Sequence, residues 1–418
     1  MSLAAAQEAV SNQARAAQRQ WAAESVRHRL AVVRKIRAGL ARDTANFVDL
    51  FPSTLRRTRA DSLTTEIIPL AEACRFLELE AKRTLAPRRL PTRGRPLWLG
   101  GVDIELRREP LGVVLIIGPS NYPLFLPGVQ ALQALVAGNA VIVKPGSGGR
   151  VVMEALARLA NHAGLPADVL TVLDETVESA RGAIRSGVDK VVITGSVESG
   201  KSVLRAAAES LTPVIAELSG DDPVFVLPGA DVRRAIAAIR FGIELNGGQT
   251  CIAPRRVIAS SEFAAPIREA LGHVISVIEV ATEEEALTLA ARSPYALGAS
   301  VFGEEKAGRR FARSICAGVV VVNDIIVPTA DPRVPFGGRR DSGFGTTRGA
   351  EGLLAMTAPK AVLVQRAKRL RHLEAPPGNA EELFLAHLSA NHSDGWRDRL
   401  RGWRRFGQVI AQVRKVSA

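Results

Sequence analysis

"GVVLIIGPSNYPLFLPGVQALQALVAGNAVIVKP", residues 112–145, is the stretch that decides the fold. Two short apolar runs, GVVLIIG and AVIVKP, flank an apolar segment of helical length, which predicts a strand, a helix and a second strand. Although no charged residue lies between Pro110 and Val143, four prolines and several side-chain amides interrupt this stretch. A lipid-exposed helix tolerates such residues poorly. We therefore predict a buried strand–helix–strand unit and no membrane span.

The same alternation continues along the chain. Apolar runs such as LTVLD, KVVITG and PVFVLPG are separated by segments whose apolar residues have helical spacing. Strands separated by helices of this length predict a parallel sheet that is covered on both faces. We predict two α/β blocks that meet near Glu217. The predicted domains are 1–216, with N-terminal helices and bridging strands over 88–108; 217–345, a smaller α/β domain; and 346–418, a C-terminal segment with a basic tail.

The composition is that of an ordinary globular chain, with 47% hydrophobic and 23% charged residues among 418. Cys74, Cys251 and Cys316 are far apart and form no CxxC, which argues against a disulfide framework or a zinc site and for a reducing, cytoplasmic compartment. The N-terminal residues lack the apolar core of a secretory signal. The net charge is +13, but no nucleic-acid-binding motif accompanies it, so we expect no nucleic-acid partner.

Small and polar residues follow several predicted strands. Gly195, Ser196 and Gly200 lie between a strand and a helix, where backbone N–H groups can bind a dinucleotide pyrophosphate; the alternative is a tight turn. Lys144 ends a strand before a glycine-rich exit, where its ammonium can bind ribose hydroxyls or phosphate, or simply face solvent.

Three further residues have the side chains of a covalent mechanism. Asn121 follows a wholly apolar strand, where its carboxamide can donate to an oxyanion or form a turn. Glu217 ends an apolar run, where a semi-buried carboxylate serves as a general base or as a cap. Cys251, in NGGQTC, is either a thiol presented to a substrate or a buried spacer. Cys74 and Cys316 are expected on apolar helical faces.

Taken in order, the motifs resemble those of the aldehyde dehydrogenase superfamily. The resemblance runs from about residue 15 to 360, through EPLGVVLIIGPSNYPL, ALVAGNAVIVKP, ITGSVESG, LTPVIAELSG, GQTCIAPRRV, LGASVF and PFGGRRDSGFG. SNYPL and VVVVNDIIV look most like the shorter branch that oxidises fatty and aromatic aldehydes. The resemblance implies a parallel-sheet domain that binds NAD or NADP and a smaller catalytic domain. It also implies a homodimer or homotetramer.

The resemblance also implies individual roles. Cys251 is the nucleophile, Asn121 and the backbone N–H of Cys251 form the oxyanion hole, and Glu217 is the base. The implied cofactor contacts are Lys144 and Ser147 at the adenosine ribose, Gly195, Ser196 and Gly200 at the pyrophosphate, Phe336 near the active site and Glu269 at the nicotinamide ribose.

This chain departs from the family pattern at several positions. Ser120 replaces the usual tryptophan, and Ser219-Gly220-Asp221 replaces the usual Gly-Gly-Lys. Ser147 stands where many NAD-preferring relatives have a glutamate, so we expect NADP to be accepted alongside NAD. Only 18 positions separate Cys251 from Glu269, where the family normally inserts much of its catalytic domain. Such a loss could alter the substrate tunnel or open the site to water.

These departures leave two alternatives open: a CoA-acylating relative and a catalytically weak scaffold. The presence of Glu217 argues against the CoA-acylating relative.

The tail WRDRLRGWRRFGQVIAQVRKV has Trp396, Leu400, Trp403, Val409 and Val413 at mostly three- or four-residue spacing between arginines. It predicts a basic amphipathic helix that lies on an anionic membrane, docks on a partner subunit or packs on its own domain.

Overall fold

The computed structural model describes residues 3–96, 99–368, 370–373 and 378–416. It separates into two compact units, Met1–Arg88 with Leu106–Ala361 and Arg89–Glu105 with Val362–Ala418. No described helix is long and apolar enough to cross a membrane.

Helices of the first unit precede its sheets. Ser25 begins the second helix by accepting a hydrogen bond from the N–H of His28. The indole of Trp21 is buried and donates to the carbonyl of Leu135 at 2.8 Å, so the first helix is tied to the predicted strand–helix–strand unit. The helices are α1 (Leu3–Ala23), α2 (Val26–Arg42), α3 (Thr44–Asp49), α4 (Arg59–Ser62) and α5 (Ile68–Thr84).

Six strands form the first sheet, in the order β15-β7-β6-β3-β4-β5, of which β15 (Gly343–Phe344) comes from a later part of the chain. Alternate residues of β3 enter different cores: Val114 packs with α2, α5, α6 and α7, whereas Leu115 packs with α8 and α9. The continuous apolar run of β3 is therefore explained by burial on both faces, as predicted. The elements are β3 (Val113–Ile117), α6 (Phe125–Ala137), β4 (Ala140–Lys144), α7 (Arg150–His162), β5 (Leu170–Val172), α8 (Val177–Arg185), β6 (Lys190–Thr194), α9 (Val197–Ala208) and β7 (Val214–Glu217).

The second sheet has five parallel strands in the order β10-β9-β8-β12-β13. A single helix, α11, joins β9 to β10, which pair directly with Val257 opposite Val277. Ile267 and Leu271 of α11 are buried in the core of this block, so the short connection still closes a packed β-α-β unit. The elements are β8 (Asp222–Val226), α10 (Val232–Glu244), β9 (Pro254–Ala259), α11 (Ser261–Leu271), β10 (Ser276–Glu279), α12 (Glu283–Ala291), β12 (Gly298–Phe302), α13 (Glu305–Ala312) and β13 (Val319–Val322).

After the second sheet the chain returns to the first. Strand β15 pairs antiparallel with β7, placing Gly343 opposite Glu217. Gly343 has φ +101°, and a Cβ there would overlap the carbonyl oxygen of Ala216, so this approach requires glycine. The elements of this region are β11 (Tyr295–Ala296), β14 (Arg339–Arg340), β15 (Gly343–Phe344), α14 (Gly349–Ala355) and β16 (Thr357–Gln365).

A three-stranded sheet, in the order β1-β2-β16, contains β1 (Arg88–Arg89) and β2 (Val102–Pro110). Bridging strands were predicted over 88–108, and β1 and the first part of β2 lie within that range. Residues 97–98 of the predicted range lie outside the described residues. The second unit ends in a hairpin of α15 (Ala380–His392) and α16 (Trp396–Val416). A Cβ on Gly402 would overlap the backbone of Ala390, so glycine allows the two helices to approach closely.

Candidate active site

A cavity of about 680 Å³ lies in the first unit at the carboxyl ends of β3, β4, β6 and β7. Parallel strands bring their carboxyl ends to one edge of a sheet, which is where open α/β sheets bind ligands. Eight of the residues predicted from sequence line it: Asn121, Lys144, Ser147, Gly195, Ser196, Glu217, Cys251 and Phe336.

The loop that carries Cys251 has an unusual backbone. Asn246, Gly247 and Gly248 have φ of +56°, +61° and +77°, so three consecutive residues adopt left-handed conformations. Glycine adopts these without steric cost and asparagine tolerates them, which explains the sequence NGG. The loop turns sharply and leaves Cys251 half-buried on the cavity wall. Cys251 is therefore presented to the cavity.

Side-chain hydrogen bonds tie this loop to the loop of Asn121. The Asn121 Nδ2 donates to the carbonyl of Gln249, and Asn246 Nδ2 donates to the carbonyl of Asn121 at 2.9 Å. The Tyr122 hydroxyl lies 2.7 Å from the Thr250 hydroxyl. The carboxamide of Asn121 is thus held beside the backbone that leads to Cys251. Sequence reasoning missed Asn246, Tyr122 and Thr250, although two of them flank residues it had selected.

A buried ion pair fixes the other end of the Asn121 loop. Glu66 accepts from the backbone N–H groups of Leu124 and Phe125, at 3.2 and 2.6 Å, where α6 begins. Its other oxygen accepts from Arg57 at 2.8 Å. Both side chains are almost fully buried. The segment between Ile117 and α6 is therefore anchored at both ends.

Glu217 is buried, with 3% of its surface exposed, and lies at the end of β7. One carboxylate oxygen accepts from Thr347 Oγ1, and the other from Thr194 Oγ1 at 3.3 Å. Burial raises the pKa of Glu217, while the bond from Thr347, the charge of Arg348 and the bond from Thr194 oppose that rise. The raised pKa makes Glu217 a stronger base than an exposed carboxylate.

The thiol of Cys251 is protonated in this state. Burial, followed by the nearby carboxyl groups of Asp222 and Glu217, raises its pKa to about 12, against the opposing charge of Arg348. Because the thiolate is the nucleophilic form, Cys251 needs a base to lose its proton. Glu217 is a carboxylate that lines the same cavity.

The other end of the cavity carries hydrogen-bond donors. Lys144 lies at the carboxyl end of β4, where burial lowers its pKa. Ser147 follows in a loop that requires glycine, since a Cβ on Gly146 would overlap the carbonyl group of Pro119. Ser196 is the N-cap of α9 and accepts from the N–H of Ser199. This end can therefore offer an ammonium, hydroxyl groups and a helix N-terminus to an anionic ligand.

Two predicted contacts do not reach the cavity. Gly200 lies inside the first turn of α9, where its N–H donates to the carbonyl of Ser196 at 2.9 Å. A Cβ on Gly200 would lie 2.7 Å from Leu218, so this glycine serves the packing of α9 on the sheet. Glu269 is exposed on α11 and is not among the cavity residues, because the apolar face of α11 points to the core and Glu269 lies on the other face.

The other cysteines differ from each other. Cys74 is buried in α5, as expected. The expectation for Cys316 was wrong: it is exposed, because α13 ends at Ala312 before reaching it.

The Ser219-Gly220-Asp221 segment, which departs from the family pattern, forms two hydrogen bonds with serine side chains. The carbonyl of Ser219 accepts from Ser342 Oγ, and the carboxylate of Asp221 accepts from Ser293 Oγ.

Comparison with known proteins supports the resemblance over most of the chain. The model of the aldehyde dehydrogenase family matches residues 2–273 and 267–362. The two matched segments meet near Glu269, where the sequence predicts that a block is missing.

Relatives of known name are similar to this chain at low identity. A 4,4'-diapolycopene aldehyde oxidase from Methylomonas is 27% identical over 392 residues, which covers 75% of this chain and 73% of that protein. A second relative, from Mycolicibacterium smegmatis, is 26% identical over 439 residues, which covers 85% of this chain and 84% of that protein. Its name specifies a succinate-semialdehyde dehydrogenase and NADP(+).

A solved structure of a Mycobacterium tuberculosis aldehyde dehydrogenase complexed with NAD+ superimposes with a TM-score of 0.81, at 23% identity, over 88% of this chain and 92% of that one. At this identity the likeness shows the fold, an α/β cofactor domain with a second α/β domain. The family match shows the reaction, which is the oxidation of an aldehyde to a carboxylic acid with NAD or NADP accepting the hydride. The chain belongs to the aldehyde dehydrogenase family.

Proposed function

We propose that this chain carries out aldehyde oxidation with Cys251 as the nucleophile, Asn121 as an oxyanion donor and Glu217 as the base. The observation that supports this most is that three residues far apart in sequence line one cavity, each on a loop or strand end fixed by its own hydrogen bonds. Glu217 favours hydrolysis of the acyl intermediate by water over its transfer to CoA.

The chemistry follows from the positions of these groups. Glu217 takes the proton of Cys251, and the thiolate attacks the carbonyl carbon of the aldehyde. The carbonyl oxygen becomes an alkoxide, to which Asn121 Nδ2 and the N–H of Cys251 donate once Asn121 exchanges the Gln249 carbonyl for the substrate. Loss of hydride leaves a thioester on Cys251. Glu217 passes this first proton to solvent and then removes a proton from water. The water oxygen adds to the thioester carbonyl carbon, the C–S bond breaks, and the Cys251 thiolate leaves as the acid is released.

The donor set at the other end of the cavity fits a dinucleotide. Lys144 would bind ribose hydroxyls, with Ser147 beside the 2′ position, and Ser196 at the start of α9 would receive the pyrophosphate. When bound, NAD or NADP supplies the ring that accepts the hydride. A Cβ added to Gly195 would have its nearest neighbouring atom 3.7 Å away, so the space beside this glycine is open.

The test is the Cys251→Ser variant, with Cys316→Ser as the matched control at an exposed cysteine. Cys251→Ser should lose aldehyde oxidation by several orders of magnitude while it still binds NAD, measured by the quenching of intrinsic fluorescence. Cys316→Ser should be unaffected. Near-normal turnover by Cys251→Ser would show that another residue is the nucleophile, and loss of NAD binding would point to misfolding.

We also propose that α16 contacts an anionic membrane surface. Trp396, Leu400 and Trp403 are 70%, 45% and 43% exposed and lie on one side of the helix, whereas Val409, on another side, is buried. Arginines flank this stripe, and aromatic residues with arginines are typical of helices that lie at a membrane interface. The side chain of Val413 lies outside the described residues.

Two further proposals concern the whole chain. We propose a homodimer or homotetramer, as the family resemblance implies, to be tested by sedimentation velocity. We also propose a reducing, cytoplasmic compartment, which the free state of Cys74, Cys251 and Cys316 supports. Fractionation of cells that express the full chain tests this location.

A further inference from the structure

Arg348 places a buried cation in the wall of the cavity. Only 6% of its surface is exposed, and it lines the same cavity as Cys251 and Glu217. Its Nη1 donates to the carbonyl of Thr329 at 2.7 Å, and its guanidinium lies 4.3 Å from the centre of the Phe336 ring. These contacts hold the planar guanidinium in one orientation and use only one of its nitrogen atoms, Nη1, as a hydrogen-bond donor.

The guanidinium is not satisfied by the protein in this state. The Nε of Arg348 is buried and has no hydrogen-bond partner among the described residues. Among these residues, the ionisable groups that interact with its charge are Glu217 and Cys251, which line the same cavity. A buried cation without a bonded counter-ion costs stability, so an anion that reaches the guanidinium from the cavity would be stabilised by it.

The backbone at Arg348 also carries strain. Its φ of +57° is uncommon for a residue other than glycine and occurs here directly before Gly349, with φ +59°. Such conformations cluster at ligand-binding sites, where the surrounding structure stabilises them. The turn delivers the guanidinium into the cavity immediately after Thr347, which holds Glu217.

Two guanidinium groups line the cavity near Cys251. Arg255, four residues after Cys251, is exposed and lines the cavity together with Arg348 and Glu217, whereas Asp222, the other carboxyl group near the thiol, is buried and is not among the lining residues. Glu217 is already engaged by two threonine hydroxyls. An incoming anion is therefore attracted at the rim by Arg255 and can be bound within by Arg348.

We propose that Arg348 is a specificity-determining residue that binds an anionic group, a carboxylate, on the aldehyde substrate. A guanidinium binds carboxylates through paired N–H donors, which a buried site strengthens. This inference rests on the proposed function. Of the different aldehydes that the relatives' names specify, it favours an oxo-carboxylate over an uncharged one.

The experiment compares 4-oxobutanoate with butanal, which have the same carbon number and differ by the carboxylate. Wild-type enzyme should favour 4-oxobutanoate in kcat/KM by about ten- to hundredfold, since hydrogen bonds to charged groups contribute on that scale. Arg348→Gln should lose this preference mainly through KM for 4-oxobutanoate, and Arg348→Lys should keep part of it. Arg255→Gln, at the rim, should reduce the preference less.

Several results would overturn the inference. These are no preference in the wild type, a preference for butanal, or an equal loss for both aldehydes in Arg348→Gln, which would make Arg348 a general electrostatic element. Binding of both aldehydes to the Cys251→Ser variant is measured by calorimetry in parallel. If the wild type oxidised neither aldehyde, the proposed function would fail. The anion site would still stand if Cys251→Ser bound 4-oxobutanoate more tightly than butanal and if Arg348→Gln, added to that variant, removed the difference.

Discussion

Removing the hydroxyl of Thr347 should shift the pH dependence of acid release. Thr347→Val keeps the shape of the side chain but deletes the hydrogen bond from Thr347 Oγ1 to Glu217, which helps to lower the pKa of that buried carboxyl. A hydrogen bond to a charged group contributes about 1.5–3 kcal/mol. The ionised form of Glu217 should lose stabilisation on that scale, so the pKa of Glu217 should rise. Less Glu217 is then ionised at a given pH, so the rising limb of activity moves to higher pH.

The assay is the rate of acid release in single turnovers across pH, because we propose that Glu217 is the base in this step. Thr194→Val should shift the limb less, since its bond to Glu217 is longer, at 3.3 Å. Thr212→Val is the matched control, at a buried threonine whose hydroxyl donates to the carbonyl of Val188 away from the cavity. An unshifted profile in Thr347→Val, or a shift to lower pH, would refute the assignment of Glu217 as the base.

Three further predictions concern the cofactor, the anchor and the tail. Ser147→Glu should weaken NADP binding at least tenfold and NAD binding little, because a carboxylate repels the 2′-phosphate; strong discrimination against NADP by the wild type would contradict this. Glu66→Gln should lower the free energy of unfolding, measured in urea, by about 3–5 kcal/mol, since it leaves Arg57 buried without its charged partner. Arg57→Met added to the same chain should restore most of this loss. A loss below about 1 kcal/mol would mean that the pair is dispensable. Full-length protein should co-sediment with phosphatidylglycerol vesicles at low salt and less at high salt, whereas a chain with Trp396→Ser and Trp403→Ser should not; equal behaviour of the two would exclude the membrane contact.

The two sheets and much of the candidate site could be predicted from sequence. Residues 112–145 encode a strand, a helix and a strand through local apolar patterns, and parallel strands bring their carboxyl ends together without further information. Lys144 and Glu217 end their strands, which places both at one edge of the sheet. The residue types of the NGG segment favour its left-handed backbone.

The contacts of Thr347 and Arg348 could not be predicted in this way. They reach the cavity because β15 returns antiparallel to β7, across more than a hundred residues, and no local pattern encodes that pairing. The nearest signal was the glycine-rich PFGGRRDSGFG, which indicates close backbone approaches but not their partners. Glu269 is the reverse case: the family resemblance implies a cofactor contact, whereas the periodicity of Phe263, Ile267 and Leu271 places Glu269 on the exposed face of α11.

The late return of β15 also bears on how the protein is made. A nascent chain that has emerged as far as Asn323 contains every parallel strand of both sheets, together with Asn121, Glu217 and Cys251. It lacks Thr347, which holds Glu217. Because translation proceeds from the N-terminus and domains fold as they emerge, Glu217 acquires Thr347 as its hydrogen-bond partner only after all the parallel strands of both sheets have been synthesised. The hydrogen bonding of the proposed base is thus completed later than the synthesis of the sheets that enclose it.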